Sequence, residues 1–130
     1  MIRLPAEWEK QDGIIIALPH EITDWREYLK ESLVVFYEIV SEIAKYEKVL
    51  LLKADEHEYF FDFLPNLIII IPLDIEVNDT WARDFGPITV LKDNKPLIYD
   101  FGFNGWGLKF ASNLDNKINT QLKNLNIFSN

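Results

Sequence analysis

The chain has 130 residues, enough for one ordinary domain, and 48% of them are hydrophobic, so a packed core is expected and disorder is not. The formal net charge of −8, with a pI near 4.7, argues against nucleic acid as a partner and suits a cationic small ligand. Cysteine is absent, which excludes disulfides, thiolate metal ligands and a cysteine nucleophile within the chain.

No segment of the sequence predicts a membrane or a metal as a partner. The opening MIRLPAEWEKQDG has no apolar stretch of signal-peptide length, and the longest apolar run, Leu67–Pro72, is too short to span a bilayer. The acidic residues are dispersed and form no oxygen cage in the sequence. We therefore expect a cytoplasmic chain without metal or cofactor.

The first predicted elements are a strand and a long helix. The β-branched run GIIIALPH, Gly13–His20, predicts a buried strand that ends at a proline. Thr23 or Asp24 is expected to cap a helix of about six turns, because apolar residues then recur at three- and four-residue steps. This stripe consists of Trp25, Leu29, Leu33, Phe36, Val40 and Ile43. The opposite face, expected to lie in solvent, carries Glu27, Lys30, Glu31, Glu38 and Glu42.

Two more buried strands are predicted, over Lys48–Ala54 and Asn66–Leu73. Between them, Asp55–Leu64 is expected to form a short helix that Pro65 ends. The apolar runs of the three strands lack alternation, which is typical of strands covered on both faces, as in a parallel sheet.

A hairpin and a second helix are predicted for the C-terminal part. The runs GPITVLK and KPLIYDF are joined through Asp93 and Asn94, which tolerate the left-handed conformation of a tight turn. After the glycine-rich loop Gly102–Gly107, a helix is expected to begin near Ser112 or Asn113, with apolar positions at Leu114, Ile118, Leu122 and Leu125. No internal linker is evident, so residues 1–130 are expected to belong to one domain of the α/β or α+β class.

The stretch NDTWARDFGP places unusual charge where the chain turns between the third strand and the hairpin. One interpretation is purely structural, with Asn78 and Asp79 capping local backbone. Arg83 and Asp84 would then form an exposed ion pair, of a kind that contributes about 0–1 kcal/mol, and Trp81 would fill the core.

The other interpretation is a cation site formed by Trp81 and Asp84. A carboxylate accepts two parallel N–H donors of a planar guanidinium, and charge-assisted hydrogen bonds are roughly twice as strong as neutral ones. The face of an indole attracts such a cation by about 0.5–2 kcal/mol, depending on desolvation. Arg83 would then turn away and neutralise another acid, such as Asp79. Spacing alone does not decide between the two interpretations.

Three segments resemble a known family. NDTWARDFGPITV followed by DFGFNGWGLKF is similar to agmatine deiminases and bacterial peptidyl-arginine deiminases, and PAEWEKQDGIIIALPHEITDW resembles the opening of that family. The resemblance extends over essentially the whole chain, in the same order. It implies a pentein fold, which is a pseudo-fivefold α/β propeller of ββαβ-type units around a central site. Members are more than twice this length, so the chain would form an incomplete, N-terminal part of that propeller.

The resemblance also implies a reaction, the hydrolysis of a guanidinium group to a ureido group with release of ammonia. Asp84 matches the aspartate that holds the substrate guanidinium, and Trp81 matches the tryptophan that lines the pocket. Asn104 and Trp106 fall in the glycine-rich loop near the site entrance and are expected to bind substrate. For Asn78, Asp79 and Arg83, the resemblance implies only that they support the loop.

Parts of the catalytic machinery of that family have no match here. The family uses a cysteine thiolate, a His-x-Asp pair and a glutamate from a Glu-Gly-Gly segment, and none of these occurs in the chain. His20 is therefore expected to be structural or to lie at the pocket rim, with indirect support of the site as the alternative. His57 is expected to lie in solvent.

Two functions follow from these observations. In the first, the chain belongs to an agmatine deiminase, which makes N-carbamoylputrescine and ammonia from agmatine and water in putrescine biosynthesis; peptidyl-arginine is a further substrate option. Agmatine is preferred because no secretion signal is visible and because a dication suits an acidic protein. In the second, the chain is an inactive truncated fragment, or a piece of a split enzyme, that acts only as a binding or association module.

An incomplete propeller is expected to self-associate, since uncovered strand edges and apolar faces pair with other chains. The residues expected on the uncovered surface are Ile14, Ile16, Ile68, Ile70 and Phe101.

Overall fold

The computed structural model describes residues 1–54, 57 and 70–128. Within these ranges the strands are β1 (Ile2–Arg3), β2 (Ile14–Ala17), β3 (Val49–Lys53), β4 (Ile70–Asp74), β5 (Ile88–Lys92) and β6 (Lys95–Tyr99). The helices are α1 (Leu29–Ile43), α2 (Ala82–Phe85) and α3 (Ile118–Asn124), with 3-10 turns at Arg26–Tyr28 and Asp115–Lys117 leading into α1 and α3. Gly105–Leu108 forms a further single turn, with left-handed backbone angles. The helix predicted over Asp55–Leu64 and the first part of the strand predicted over Asn66–Leu73 lie outside the described residues.

The three apolar strands form the predicted parallel sheet, in the order β2-β3-β4. Ile14 pairs with Val49, and Val49 pairs in turn with Ile70. Helix α1 covers one face, where a buried cluster contains Leu18, Val40, Ala44, Val49, Leu51 and Ile70. Helix α3 covers the other face, where a second cluster contains Ala17, Leu52, Leu73, Ile75, Val77, Phe85, Ile118 and Leu122. The strands are apolar without alternation because both faces are covered.

A second sheet is antiparallel, in the order β1-β5-β6. The predicted hairpin is confirmed: Lys92 pairs with Lys95, and the two residues between them, Asp93 and Asn94, have φ angles of 51° and 63°. Two consecutive left-handed residues define the turn that matches the twist of antiparallel strands. β1 adds to the hairpin along β5, where Ile2 pairs with Lys92.

The predicted cap of the first helix is wrong. The Thr23 hydroxyl donates to the His20 carbonyl at 2.6 Å and accepts from the His20 N–H at 3.2 Å, so it closes the turn after β2. Helix α1 begins only after the 3-10 turn, without a side-chain cap. Val40, Phe36 and Ile43 of its apolar stripe pack in the cluster under α1, and the acidic face lies in solvent.

The last helix was expected to begin near Ser112 or Asn113, and its 3-10 turn begins at Asp115, with α3 following at Ile118. The Asn78 side chain, from the segment after β4, accepts hydrogen bonds from the N–H groups of Leu114 and Asp115 at 2.7 and 3.2 Å. A distant residue therefore satisfies donors that the first turn of a helix leaves free.

Both histidines are buried, and the expectation that His57 lies in solvent is wrong. His57 is 2% exposed, its Nδ1 accepts from the Ala54 N–H at 2.9 Å, and its Nε2 lies 2.7 Å from the Pro19 carbonyl oxygen. With both ring nitrogens bonded, burial of the imidazole costs little. His20 is bonded in the same way, with Nε2 2.9 Å from the Val77 carbonyl, which agrees with the structural role expected for it.

The expected uncovered surface is confirmed only in part. Phe101 is 61% exposed, but Ile70, in β4, is buried in the cluster under α1, and Ile14 and Ile16 are half-buried. Ile68 lies outside the described residues. No helix in the described ranges combines the length and the apolar composition that a membrane crossing requires.

Candidate functional site

The charged corner follows β4 and is anchored to the core at three points. Ile75 and Val77 are buried in the cluster under α3, and Phe85, the last residue of α2, is buried in the same cluster. Because these apolar side chains alternate with polar ones, the polar residues between them are held at the rim of the fold. The corner is thus a fixed structure of charged groups, with Trp81 and Asp84 on its outer side.

A buried polar frame supports the corner from behind. The Asp115 carboxylate accepts from the Asn78 N–H at 2.7 Å, and the Asn78 amide oxygen caps the helix that contains Asp115. Asp79 accepts from the Thr80 N–H at 2.7 Å, and the Thr80 hydroxyl accepts from the Trp25 indole at 2.9 Å. The expectation of local capping is confirmed for Asp79, whereas Asn78 caps a distant helix.

Asp115 is the most deeply buried acid of this frame. Desolvation raises the pKa of its carboxyl above the ordinary value, although the N–H groups of Asn78 and Asp79 bond to it and oppose that shift. Its Oδ2 atom has no hydrogen-bond partner within the described part of the chain. Burial is the larger effect, so this carboxyl is costly to ionise in the folded state.

The structural interpretation of the corner is not observed: Trp81 does not fill the core, and Arg83 and Asp84 do not form an ion pair. Trp81 is 53% exposed and precedes α2, where its carbonyl accepts from the Asp84 N–H at 2.9 Å. Arg83 and Asp84 are both exposed, and no ion pair within the described ranges includes Arg83. The expected pairing of Arg83 with Asp79 or Asp84 is therefore not observed.

Asp84 instead bonds to Trp106, from the glycine-rich loop. The indole Nε1–H donates to Asp84 Oδ2 at 3.1 Å. The structure thus brings together two of the four residues predicted to bind substrate. Trp81 is connected to Asp84 through the backbone of α2, where its carbonyl accepts from the Asp84 N–H.

The glycine-rich loop has an unusual backbone. Gly105, Trp106, Gly107 and Leu108 have φ angles of 60°, 53°, 80° and 65° in succession. Such left-handed conformations are unfavourable for residues with side chains, and glycine at two of the four positions lowers the cost of this backbone. A Cβ atom on Gly105 would also collide with the Phe110 carbonyl oxygen.

Asn104 holds this loop closed. Its side-chain oxygen accepts from the Gly107 N–H at 3.0 Å, and its carbonyl accepts from the Leu108 N–H at 2.7 Å. Since Asn104 is exposed and bonded to its own loop, the structure places it as a support of Trp106 as well as beside the candidate site.

Several residues of the site were not predicted from the sequence. Phe103 and Phe110 meet the Trp106 ring edge-on, with centroid distances of 4.9 and 5.6 Å. Asn116 fixes Phe103 by accepting from its N–H and donating to its carbonyl, both at 2.8 Å. The sequence signal for Asn116 is the mainly polar run SNLDN before α3, because Ser, Asn and Asp side chains often hydrogen-bond to nearby backbone groups.

The arrangement offers the exposed Asp84 carboxylate beside the Trp106 indole, with the exposed Trp81 three residues away on the same corner, which suits a planar organic cation. Within the described residues, no group of three or more His, Asp or Glu side chains is arranged to hold a metal ion.

Solved structures of deiminases share the fold. A protein named provisionally as a peptidyl-arginine deiminase is 40% identical, with a TM-score of 0.90 over 98% of this chain. A cysteine-to-serine variant of the C. jejuni agmatine deiminase, with substrate bound, is 36% identical, with a TM-score of 0.87 over 95% of this chain. The mixed α/β architecture described above is therefore a deiminase fold.

Sequence comparison gives the family. Residues 3–129 match the sequence model of Porphyromonas-type peptidyl-arginine deiminases. A protein of Mycoplasma capricolum, named provisionally as an agmatine deiminase, is 35% identical over 107 residues, which cover 80% of this chain. The chain belongs to the Porphyromonas-type peptidyl-arginine deiminase family. It spans 29% of that relative and 38% and 37% of the two solved structures.

Proposed function

We propose that the chain is the N-terminal part of a single pentein deiminase domain and supplies the guanidinium-binding corner of an agmatine deiminase. The observation that carries this proposal is the exposed carboxylate of Asp84, on a corner that buried apolar side chains anchor to the core. Residues 3–129 of the chain match the family. In this proposal the two sheets are the first ββαβ-type units of an incomplete propeller.

Asp84 holds the guanidinium in this proposal, and Trp81 lines its pocket. A carboxylate and the fork of a guanidinium form two parallel charge-assisted hydrogen bonds, and an indole adds a cation–π contact. Asn104 and Trp106 form the neighbouring wall, while Asn78, Asp79 and Arg83 belong to the supporting corner.

The proposed reaction converts agmatine and water to N-carbamoylputrescine and ammonia. A thiolate attacks the guanidinium carbon, ammonia leaves, and water then hydrolyses the amidino intermediate to the ureido product and frees the thiol. The 130 residues contain no cysteine, so in this proposal the nucleophile comes from outside them. The role of this chain is to bind and orient the cation.

Agmatine is proposed as the substrate because two properties favour it. The chain carries a net charge of −8, which attracts a dication, and the substrate-bound C. jejuni relative is named as an agmatine deiminase. Peptidyl-arginine is the further option that the description of the family supports.

A second candidate function is a binding or association module without catalysis. The absence of cysteine favours it for these 130 residues taken alone. The two candidates differ in what the complete gene encodes. Sequencing the DNA beyond the Asn130 codon separates them, because the enzymatic proposal requires a continuing frame with a Glu-Gly-Gly segment, a His-x-Asp pair and a late cysteine.

The binding role is tested by titrating agmatine into the 130-residue chain and following amide resonances by NMR. We expect saturable shifts around residues 81–84, and their loss in Asp84→Asn. Asp12→Asn, which neutralises an exposed carboxylate at the amino end of β2, is the matched control and should bind as the wild type does. Thermal stability of Asp84→Asn should change little, since its side chain lies in solvent. Equal agmatine binding by wild type and Asp84→Asn would contradict the proposal.

A further inference from the structure

Asp84 and Trp106 are joined by a hydrogen bond that spans 22 positions of the chain. The indole Nε1–H donates to Asp84 Oδ2 at 3.1 Å, and within the described ranges this is the sole hydrogen bond to that carboxylate. The contact therefore holds the carboxylate that the proposed function assigns to the guanidinium.

The indole is the fixed partner of the two. Its ring lies between the edges of Phe103 and Phe110, and its backbone belongs to the left-handed loop that Asn104 closes. Trp106 is only 38% exposed, whereas Asp84 projects into solvent from a single helical turn. The indole thus keeps its position without help from Asp84, and it limits the rotation of the carboxylate.

The geometry points to Trp106 as a positioning residue that orients the Asp84 carboxylate toward a guanidinium substrate. This inference rests on the proposed function. It replaces the expected direct contact of Trp106 with the substrate by an indirect one. The indole N–H is directed at Asp84, so it is not available as a donor to a bound ligand.

The bond leaves Asp84 able to bind a guanidinium fork. A carboxylate has about four lone-pair sites on its two oxygens, and the indole takes one of them on Oδ2. Oδ1 and the remaining site on Oδ2 can still accept two parallel N–H donors. One neutral donor therefore orients the carboxylate without blocking it.

A neutral donor also preserves the charge that attracts the cation. An arginine or lysine in the place of Trp106 would orient Asp84 equally well but would cancel its negative charge. An indole donates one hydrogen bond and carries no charge. The residue type at position 106 therefore fits the task of holding a carboxylate that must stay anionic.

The first test is spectroscopic and needs no ligand. The indole N–H resonances of Trp8, Trp25, Trp81 and Trp106 are assigned in a ¹H–¹⁵N spectrum of the 130-residue chain. Asp84→Ala should shift the Trp106 indole resonance, while those of Trp8 and Trp25 stay in place. An unchanged Trp106 resonance would show that the hydrogen bond does not form in solution and would overturn the inference.

The second test measures agmatine affinity in Trp106→Phe, which keeps the aromatic ring and removes the donor. We expect about fivefold weaker binding, the effect of losing one typical hydrogen bond, with little change in thermal stability. Trp8→Phe is the matched control, because Trp8 is 89% exposed and lies on the N-terminal turn. Its affinity should equal that of the wild type.

The outcomes separate the inference from the function on which it rests. Unweakened binding by Trp106→Phe, with binding lost in Asp84→Asn, would overturn the inference and leave the proposed function standing. If the wild-type chain shows no Asp84-dependent agmatine binding, the proposed function fails, and an Asp84-dependent indole signal then assigns the bond a structural role only.

Discussion

Asn78 and Asp115 cap each other's backbone across 37 positions of the chain. The Asp115 carboxylate accepts from the Asn78 N–H at 2.7 Å, and the Asn78 amide oxygen accepts from the Asp115 N–H at 3.2 Å. The corner with Trp81 and Asp84 is thereby joined to the start of the last helix. The position of the candidate site thus depends on a helical segment that contains none of the residues predicted to bind substrate.

Asn78→Ala should lower the free energy of unfolding by about 1–2 kcal/mol, because the first turn of the last helix loses its cap. Urea denaturation measures this change. Asn113→Ala is the control, since Asn113 is exposed and makes only a 3.3 Å contact with Asn78, and it should change stability by less than half as much. Equal effects of the two substitutions would show that the reciprocal cap contributes nothing.

Asp115 should make the chain less stable as the pH rises. Burial raises the pKa of this carboxyl above its ordinary value of 3.8, so the folded state binds its proton more tightly than the unfolded state. Its contribution is fully present below pH 3.8 and is lost as the pH rises through the raised folded pKa. Above that point the fold must contain a buried charge.

Asp115→Asn removes this titration and keeps an oxygen that accepts from the Asn78 N–H. Urea denaturation of both proteins between about pH 3 and pH 7 should show the wild type losing stability relative to the variant as the pH rises. The other carboxyl groups are common to both proteins and cancel in the difference. If the wild type instead became more stable relative to the variant as the pH rises, the direction of this pKa shift would be contradicted.

Arg3→Gln should raise the pKa of the Glu9 carboxyl, because it removes the ion pair that lowers it. The Arg3 guanidinium bonds to both Glu9 oxygens, at 2.6 and 2.8 Å, and together with the Ala6 N–H it lowers the pKa of Glu9 to about 2. A lowered folded pKa contributes stability above the ordinary value of 4.5, which is lost as the pH falls through 2. ¹³C NMR titration should show the pKa of Glu9 rising toward 4.5 in the variant.

Lys45→Gln, which breaks a different surface ion pair, serves as the control and should leave the Glu9 titration unchanged. A Glu9 pKa that stays near 2 in Arg3→Gln would assign the shift to the Ala6 N–H alone.

Self-association of the 130-residue chain is expected through its exposed apolar side chains, among which Phe101 is 61% exposed beside the half-exposed Tyr99. Sedimentation at micromolar concentration should show species larger than a monomer, and Phe101→Ser should reduce them. Tyr46→Ser, in the exposed turn that follows α1, is the control and should have little effect. A compact wild-type monomer with a sharp cooperative melt would contradict the prediction.

No ureido product is expected when the purified 130-residue chain is incubated with agmatine. Attack on the guanidinium carbon needs an activated nucleophile, and cysteine is absent. Product formed above the blank, and lost in Asp84→Ala, would contradict this prediction.

The sequence predicted elements well where periodicity decides them. The three apolar strands, the stripe on α1 and the hairpin turn at Asp93 and Asn94 are present, because each follows from residue types close together in the chain. Element ends were less accurate, since Thr23 bonds backward to His20 and so leaves the helix it was expected to cap.

Long-range contacts account for what the sequence did not predict. The partner of Asp84 is Trp106, and the cap of the last helix is Asn78; neither relation has a local signature. The acidic segment around His57 predicts a position in solvent, yet its ring bonds to the Pro19 carbonyl, a contact that depends on the tertiary fold. Residue types identified the candidate site, and tertiary structure determined which of them meet.

The last helix has a consequence for the order of folding. Ile118 and Leu122 share a buried cluster with Ala17, from β2, although almost the whole chain separates them. Contacts of such long range slow folding, because a large loop must close before they form. During synthesis one face of the parallel sheet therefore stays uncovered until Ile118 and Leu122 have been made, and its apolar side chains are exposed to solvent in that interval.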